Sequence, residues 1–150
     1  MKRLALALVL AASLASAETI DRATLARVVA IGESYGVPAS VSRALVAAES
    51  GGDPRAVSQL TPEGYRSYGL CQLYIQPDNI AMLIDRYWHE PRAPKLYDPL
   101  DNATIGLAYL ADLHRRYGSW LRALRAYNCG SPDSRDRGVN EYARGIVNAH

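Results

Sequence analysis

Residues 40–50, SVSRALVAAES, constrain the fold more than any other stretch of the chain. Ser40 offers an oxygen that can cap a helix, and the run behind it is apolar on nearly every face as far as Glu49. A helix of that kind has almost no solvent face, so other elements must surround it. Gly51 and Gly52 then stop it. The chain is therefore expected to build a multi-helix core here, with a carboxylate at the last turn of a buried helix.

The remaining segments supply the partners. Leu25, Val28 and Val29, with Ile20 and Ile31 less regularly, fall at helical spacing over 18–35, and Gly36 and Pro38 end that segment. Asp53-Pro54, Pro62 and Gly64 mark 53–68 as loop. The stretch YGLCQLYI is short and partly β-like, a strand or an extended loop. Further helices are expected over about 78–88, 100–117 (capped by Asp98 or Asp101), 119–128 and 139–148, separated by the loops EPRAPK and SPDSRDRG. The fold class is mainly α: a single domain of five or six helices with little strand.

The length of 150 residues suits one domain with its own core. The first residues are not expected to join it. Met1-Lys2-Arg3, the apolar LALALVLAASL and the small-residue Ala15-Ser16-Ala17 make residues 1–17 a cleavable export signal, with 18–150 as the mature domain. The apolar run is short of the ~20 residues of a membrane span, so the mature chain should keep no stable span. The whole chain has 17 basic and 15 acidic residues; Lys2 and Arg3 leave with the leader, giving 15 of each. No basic excess remains to attract nucleic acid. Export to the periplasm or beyond is oxidising, and two cysteines, Cys71 and Cys129, permit one bridge or two free thiols. His89, His114 and His150 share no ligand spacing, and neither H-E-x-x-H nor C-x-x-C occurs, so no metal and no cofactor is expected.

Glu49 carries the chemistry. Glutamate is seldom buried without a partner. Desolvation favours its neutral form and raises its pKa, and the negative end of the helix dipole pushes the same way. A carboxyl so tuned is a general acid near neutral pH, and the glycines beside it leave room for a substrate. An exposed glutamate paired with Arg43 or Arg55 is the alternative.

Four blocks follow one another in order: ESGGDPRAVS at 49–58, YGLCQ at 68–72, DPLDNATIGLAYL at 98–110 and RALRAYNCG at 122–130. Together they resemble the soluble lytic transglycosylase family, whose members have a lysozyme-like fold and cleave bacterial peptidoglycan. The resemblance spans residues 37–148. It implies Glu49 as catalytic acid/base, Ser58 as a serine that helps hold that carboxylate, and Gln72 as a cleft glutamine that contacts saccharide. It also implies Tyr127 as the tyrosine whose hydroxyl orients the carboxylate, with Asn128 beside it at the cleft wall. Asn102, Gly106, Tyr109 and Leu110 match a helix that is mainly scaffold. The chain departs from the family pattern at Cys71, where Met is usual, at Ala103, where Ile is usual, and after Gln72, where a proline is more often found. Cys71 and Cys129 flank Gln72 and Asn128; if those line one cleft, a disulfide between them is open, contributing roughly 4 kcal/mol in the chain-entropy model.

The reaction the resemblance implies is cleavage of the β-1,4 bond between N-acetylmuramic acid and N-acetylglucosamine with formation of a 1,6-anhydro ring. Glycosidases usually need two carboxylates, but the substrate's own acetamido group can take the place of the second. Asp53 is better explained as a turn former before Pro54, and Glu63 as a solvated residue. A hydrolytic muramidase on the same fold remains open, as does a low-turnover wall-binding component of a secretion, pilus or phage machine. Peptidoglycan glycan strands are the expected partner, with a trans-envelope secretion or pilus assembly as a second.

Overall fold

The computed structural model describes residues 18–149; the expected leader, residues 1–17, lies outside them. The described chain forms α1 (Arg22–Ser34), α2 (Ala39–Ser50), β1 (Ser67–Tyr68), β2 (Leu73–Tyr74), α3 (Pro77–Tyr87), α4 (Pro99–Tyr117), α5 (Trp120–Cys129) and α6 (Arg137–Val147). It is mainly helical, as expected, and YGLCQLYI folds as a minimal hairpin.

Side-chain caps set most helix starts. Asp21 accepts from the amide of Thr24, Ser119 from that of Arg122 and Asp136 from that of Val139. Asp98, and not Asp101, caps α4, accepting from the amides of Leu100 and Asp101 at 2.9 and 3.0 Å. Asp101 instead takes a two-bond pair from Arg92 at 2.6 and 2.7 Å, which ties the 88–98 loop to α4. The expected cap of α2 is corrected: Ser40 lies inside the helix, and Pro38 occupies the N-cap position with no side-chain bond. The Pro38 carbonyl already accepts from the amide of Ser42 at 3.0 Å, so the helix starts before Ser40 can cap it. At the other end, Gly51 closes α2 in the left-handed region, φ 62°, its amide donating to the Ala47 carbonyl.

α4 is the axis of the molecule. Ala103, Leu107, Leu110 and Ala111 face a core with Val28, Leu45, Val46, Leu124 and Ile146. Ile105 and Ala108 face a second, smaller core with Leu73, Leu83 and Tyr87. A helix apolar on two sides is what holds both cores together. α2 packs between α1 and α6, which fixes where Glu49 emerges.

The hairpin reaches α4 through one side chain. β1 and β2 pair antiparallel, Ser67 with Tyr74 and Tyr68 with Leu73. Buried Asn102 of α4 accepts from the Cys71 amide at 2.7 Å and donates to the carbonyls of Tyr68 and Leu96 at 3.0 and 2.8 Å. Gly69 makes that approach feasible: its φ is 78°, and a Cβ there would lie 2.3 Å from both Asn102 Nδ2 and the Leu96 oxygen.

Candidate active site

Glu49 ends the last turn of α2, half-buried, with open space beyond the helix: a Cβ added at Gly51 would meet nothing within 4 Å. The hydroxyl of Tyr142, on α6, donates to Glu49 Oε1. Burial raises the Glu49 carboxyl and the Tyr142 bond draws it part of the way back down, so that the balance lies at about 7 against an ordinary 4.5. No second carboxylate enters that balance. The group is therefore poised between its neutral and charged forms near neutral pH.

Three further groups gather around it. Cys71, fully buried, Tyr127 and Tyr142 all have their ionisation pushed up, first by burial and additionally by the Glu49 carboxylate. Glu49 is thus enclosed by groups that stay neutral, a surrounding that keeps an acid protonated without supplying a counter-charge.

The residues taken from the family pattern do not all stand where the resemblance puts them. The carboxylate-orienting bond assigned to Tyr127 is made by Tyr142; the Tyr127 hydroxyl donates to the Cys71 carbonyl at 2.7 Å. Its placement follows from Gly106, where a Cβ would come within 2.6 Å of Cys71 Cβ and 3.1 Å of Tyr127 Oη. Ser58 does not bond Glu49. Its hydroxyl donates to the Gln59 carbonyl at 2.9 Å and accepts from the Ser67 amide at 2.8 Å, bracing the strand that precedes the turn. Gln72 is half-buried at the end of the 69–72 turn, and Asn128 is exposed at the end of α5. Cys71 and Cys129 are free thiols, so the open disulfide is corrected. The backbone of Cys71 is tethered to α4 and α5 from within, while Cys129 Sγ turns to the Ser131 carbonyl at 3.7 Å. Asp53 accepts from the amide of Arg55 at 2.8 Å, a local turn bond of the kind expected before proline.

Tyr142 is the residue that sequence reasoning missed. Its signal was present: with Val139, Ala143 and Ile146 it completes the inward stripe of α6, and a tyrosine hydroxyl turned into a core needs a partner. A separate cavity of about 210 Å³ lies by Tyr35, Trp88, Leu100 and Thr104. Thr104 precedes Gly106 by two positions, which puts this cavity on the other side of α4 from Glu49. Among the described residues no group of three or more His, Cys, Asp or Glu is placed to hold a metal ion.

A helical domain with one enclosed glutamate at a helix end, and a short hairpin packed beside it, is the class that fold and site define. A family model described as the transglycosylase SLT domain matches residues 26–149. The chain belongs to that family. Among solved structures it is similar to an inactive mutant of the lytic transglycosylase Slt from Pseudomonas aeruginosa, at 23% identity and TM-score 0.64. That match covers 84% of this chain and 22% of the other, so the chain spans about a fifth of that protein. No curated protein matches it.

Proposed function

We propose that this chain is a peptidoglycan lytic transglycosylase working with a single carboxyl group. The observation that carries the reading is Glu49: a carboxyl lifted to about 7 by burial, held by a tyrosine hydroxyl, with no second carboxylate acting on it. That balance supports a mechanism assisted by the substrate's acetamido group, which needs one carboxyl, over one built on two acids.

Protonated Glu49 donates to the oxygen that leaves from C1 of N-acetylmuramic acid, and the acetamido oxygen of the same sugar stabilises C1. Glu49, now a carboxylate, takes the proton of that sugar's C6 hydroxyl. The C6 oxygen bonds to C1 and closes the 1,6-anhydro ring. No water is consumed, because the hydroxyl is held close and bulk water is not. A pKa near 7 suits both halves, since one group must give and then take a proton. The export signal read in residues 1–17 supports an activity at the cell wall, in the periplasm or outside.

Mass spectrometry of the soluble products released from purified sacculi tests the proposal. Anhydro ends, lighter by one water than hydrolysed ends, are expected. Hydrolysed ends would identify a muramidase, and the absence of soluble product would identify a wall-binding component.

A further inference from the structure

The turn beside Glu49 is held by side chains at both of its peptide groups. The Cys71 amide donates to Asn102 and the Cys71 carbonyl accepts from Tyr127, so α4 and α5 grip one residue from two sides. The next residue, Gln72, has φ 51° and is the one non-glycine residue with positive φ among the described residues. A side chain in that region carries strain, and such strain persists where the surroundings fix it.

The side chain of Gln72 is fixed as well. Its amide nitrogen lies 3.1 Å from the Ala56 carbonyl and 3.0 Å from the Gly69 carbonyl. Two acceptors on that end require the NH₂ group there, which settles the orientation of the amide. Both of its N–H donors are consumed. Its Oε1 accepts from no donor among the described residues and is not among the buried unpaired atoms. Gln72 therefore offers an incoming molecule an acceptor and nothing else.

We infer that Tyr127 is a positioning residue for Gln72: through the Cys71 carbonyl it holds the 69–72 turn so that Gln72 presents only its carbonyl oxygen to a hydroxyl or amide N–H donor of the saccharide. The inference rests on the proposed function and departs from the role that the family resemblance gives Tyr127, which is to orient Glu49. Tyr142 already does that.

Two variants and two readouts test it. Tyr127→Phe removes one hydroxyl, and Gln72→Gly removes the side chain at a φ that glycine adopts freely. On a soluble murein glycan strand without stem peptides, both should raise KM about 3- to 10-fold, the loss of one neutral hydrogen bond. Neither should move the basic limb of the pH–rate profile, which Glu49 sets. Independently of turnover, the Gln72 side-chain amide protons, locked on two carbonyls, should exchange slowly with solvent in the parent and at least 10-fold faster in Tyr127→Phe. If Tyr127→Phe leaves KM and that exchange unchanged but moves the pH limb, Tyr127 acts on Glu49 and the inference is overturned. If the parent does not cleave the strand at all, the proposed function fails, and the exchange measurement still decides whether Tyr127 holds Gln72.

Discussion

The hydroxyl of Tyr142 donates to the carboxyl of Glu49 across 93 residues of sequence, joining the last helix to the end of the second. Burial raises the pKa of Glu49 and this bond lowers it, so the value near 7 is a balance of two opposed effects. Removing either one should move the chemistry in a defined direction.

Tyr142→Phe removes the lowering contribution. The Glu49 pKa should rise above about 7, and the basic limb of the pH–rate profile should shift to higher pH. The maximal rate should fall on the order of 10-fold or more, because a freed carboxyl is no longer aimed. An unshifted limb in Tyr142→Phe would show that the bond plays no part in tuning the acid.

Glu49 also lowers the stability of the fold as pH rises. Its folded pKa of about 7 lies above the ordinary 4.5, so the folded state binds this proton more tightly than the unfolded one. The group's full stabilisation is present below about 4.5 and is lost as pH rises through 7. The difference of about 2.5 units corresponds to roughly 3 kcal/mol at high pH. Urea unfolding of Glu49→Gln should match the parent near pH 4 and exceed it by up to that amount near pH 8. A gap that does not change with pH would show that the carboxyl is well solvated.

Gly106→Ala places a methyl within 2.6 Å of Cys71 Cβ, in a fully packed contact between α4 and the turn. The variant should lose about 1–3 kcal/mol in urea unfolding. Its activity should fall as well, because the turn that carries Gln72 must shift. Unchanged stability would mean that the turn can back away from α4 freely.

The two thiols differ in access. Cys129 is half-exposed and should react with a thiol reagent in the folded protein, whereas fully buried Cys71 should react only after unfolding. Unfolding without reductant should expose two thiols. A count of zero would reinstate the bridge between Cys71 and Cys129.

Much of this molecule was legible in its sequence, for identifiable reasons. The end of α2 at Gly51 was marked by a residue that takes the left-handed cap at no cost. The start of α2 was misread because a backbone carbonyl, that of Pro38, does the work expected of Ser40. Glu49 stood out because a carboxylate at the end of an apolar helix needs a reason. The partners of its neighbours did not stand out. Whether Tyr127 or Tyr142 reaches Glu49 depends on how α5 and α6 pack, and both tyrosines lie on inward faces. Ser58 shows the same limit: a hydroxyl in the loop that follows Glu49 can turn to the carboxylate or to its own strand, and here it turns to Ser67.

The most direct measurement is the release of muropeptides from purified sacculi by the parent and by Glu49→Gln, with the fold of both checked by circular dichroism. The parent should release anhydro-ended products, and the folded variant should release none above background. Clearance of sacculi by folded Glu49→Gln at the parent's rate would contradict the assignment of the reaction to that one carboxyl.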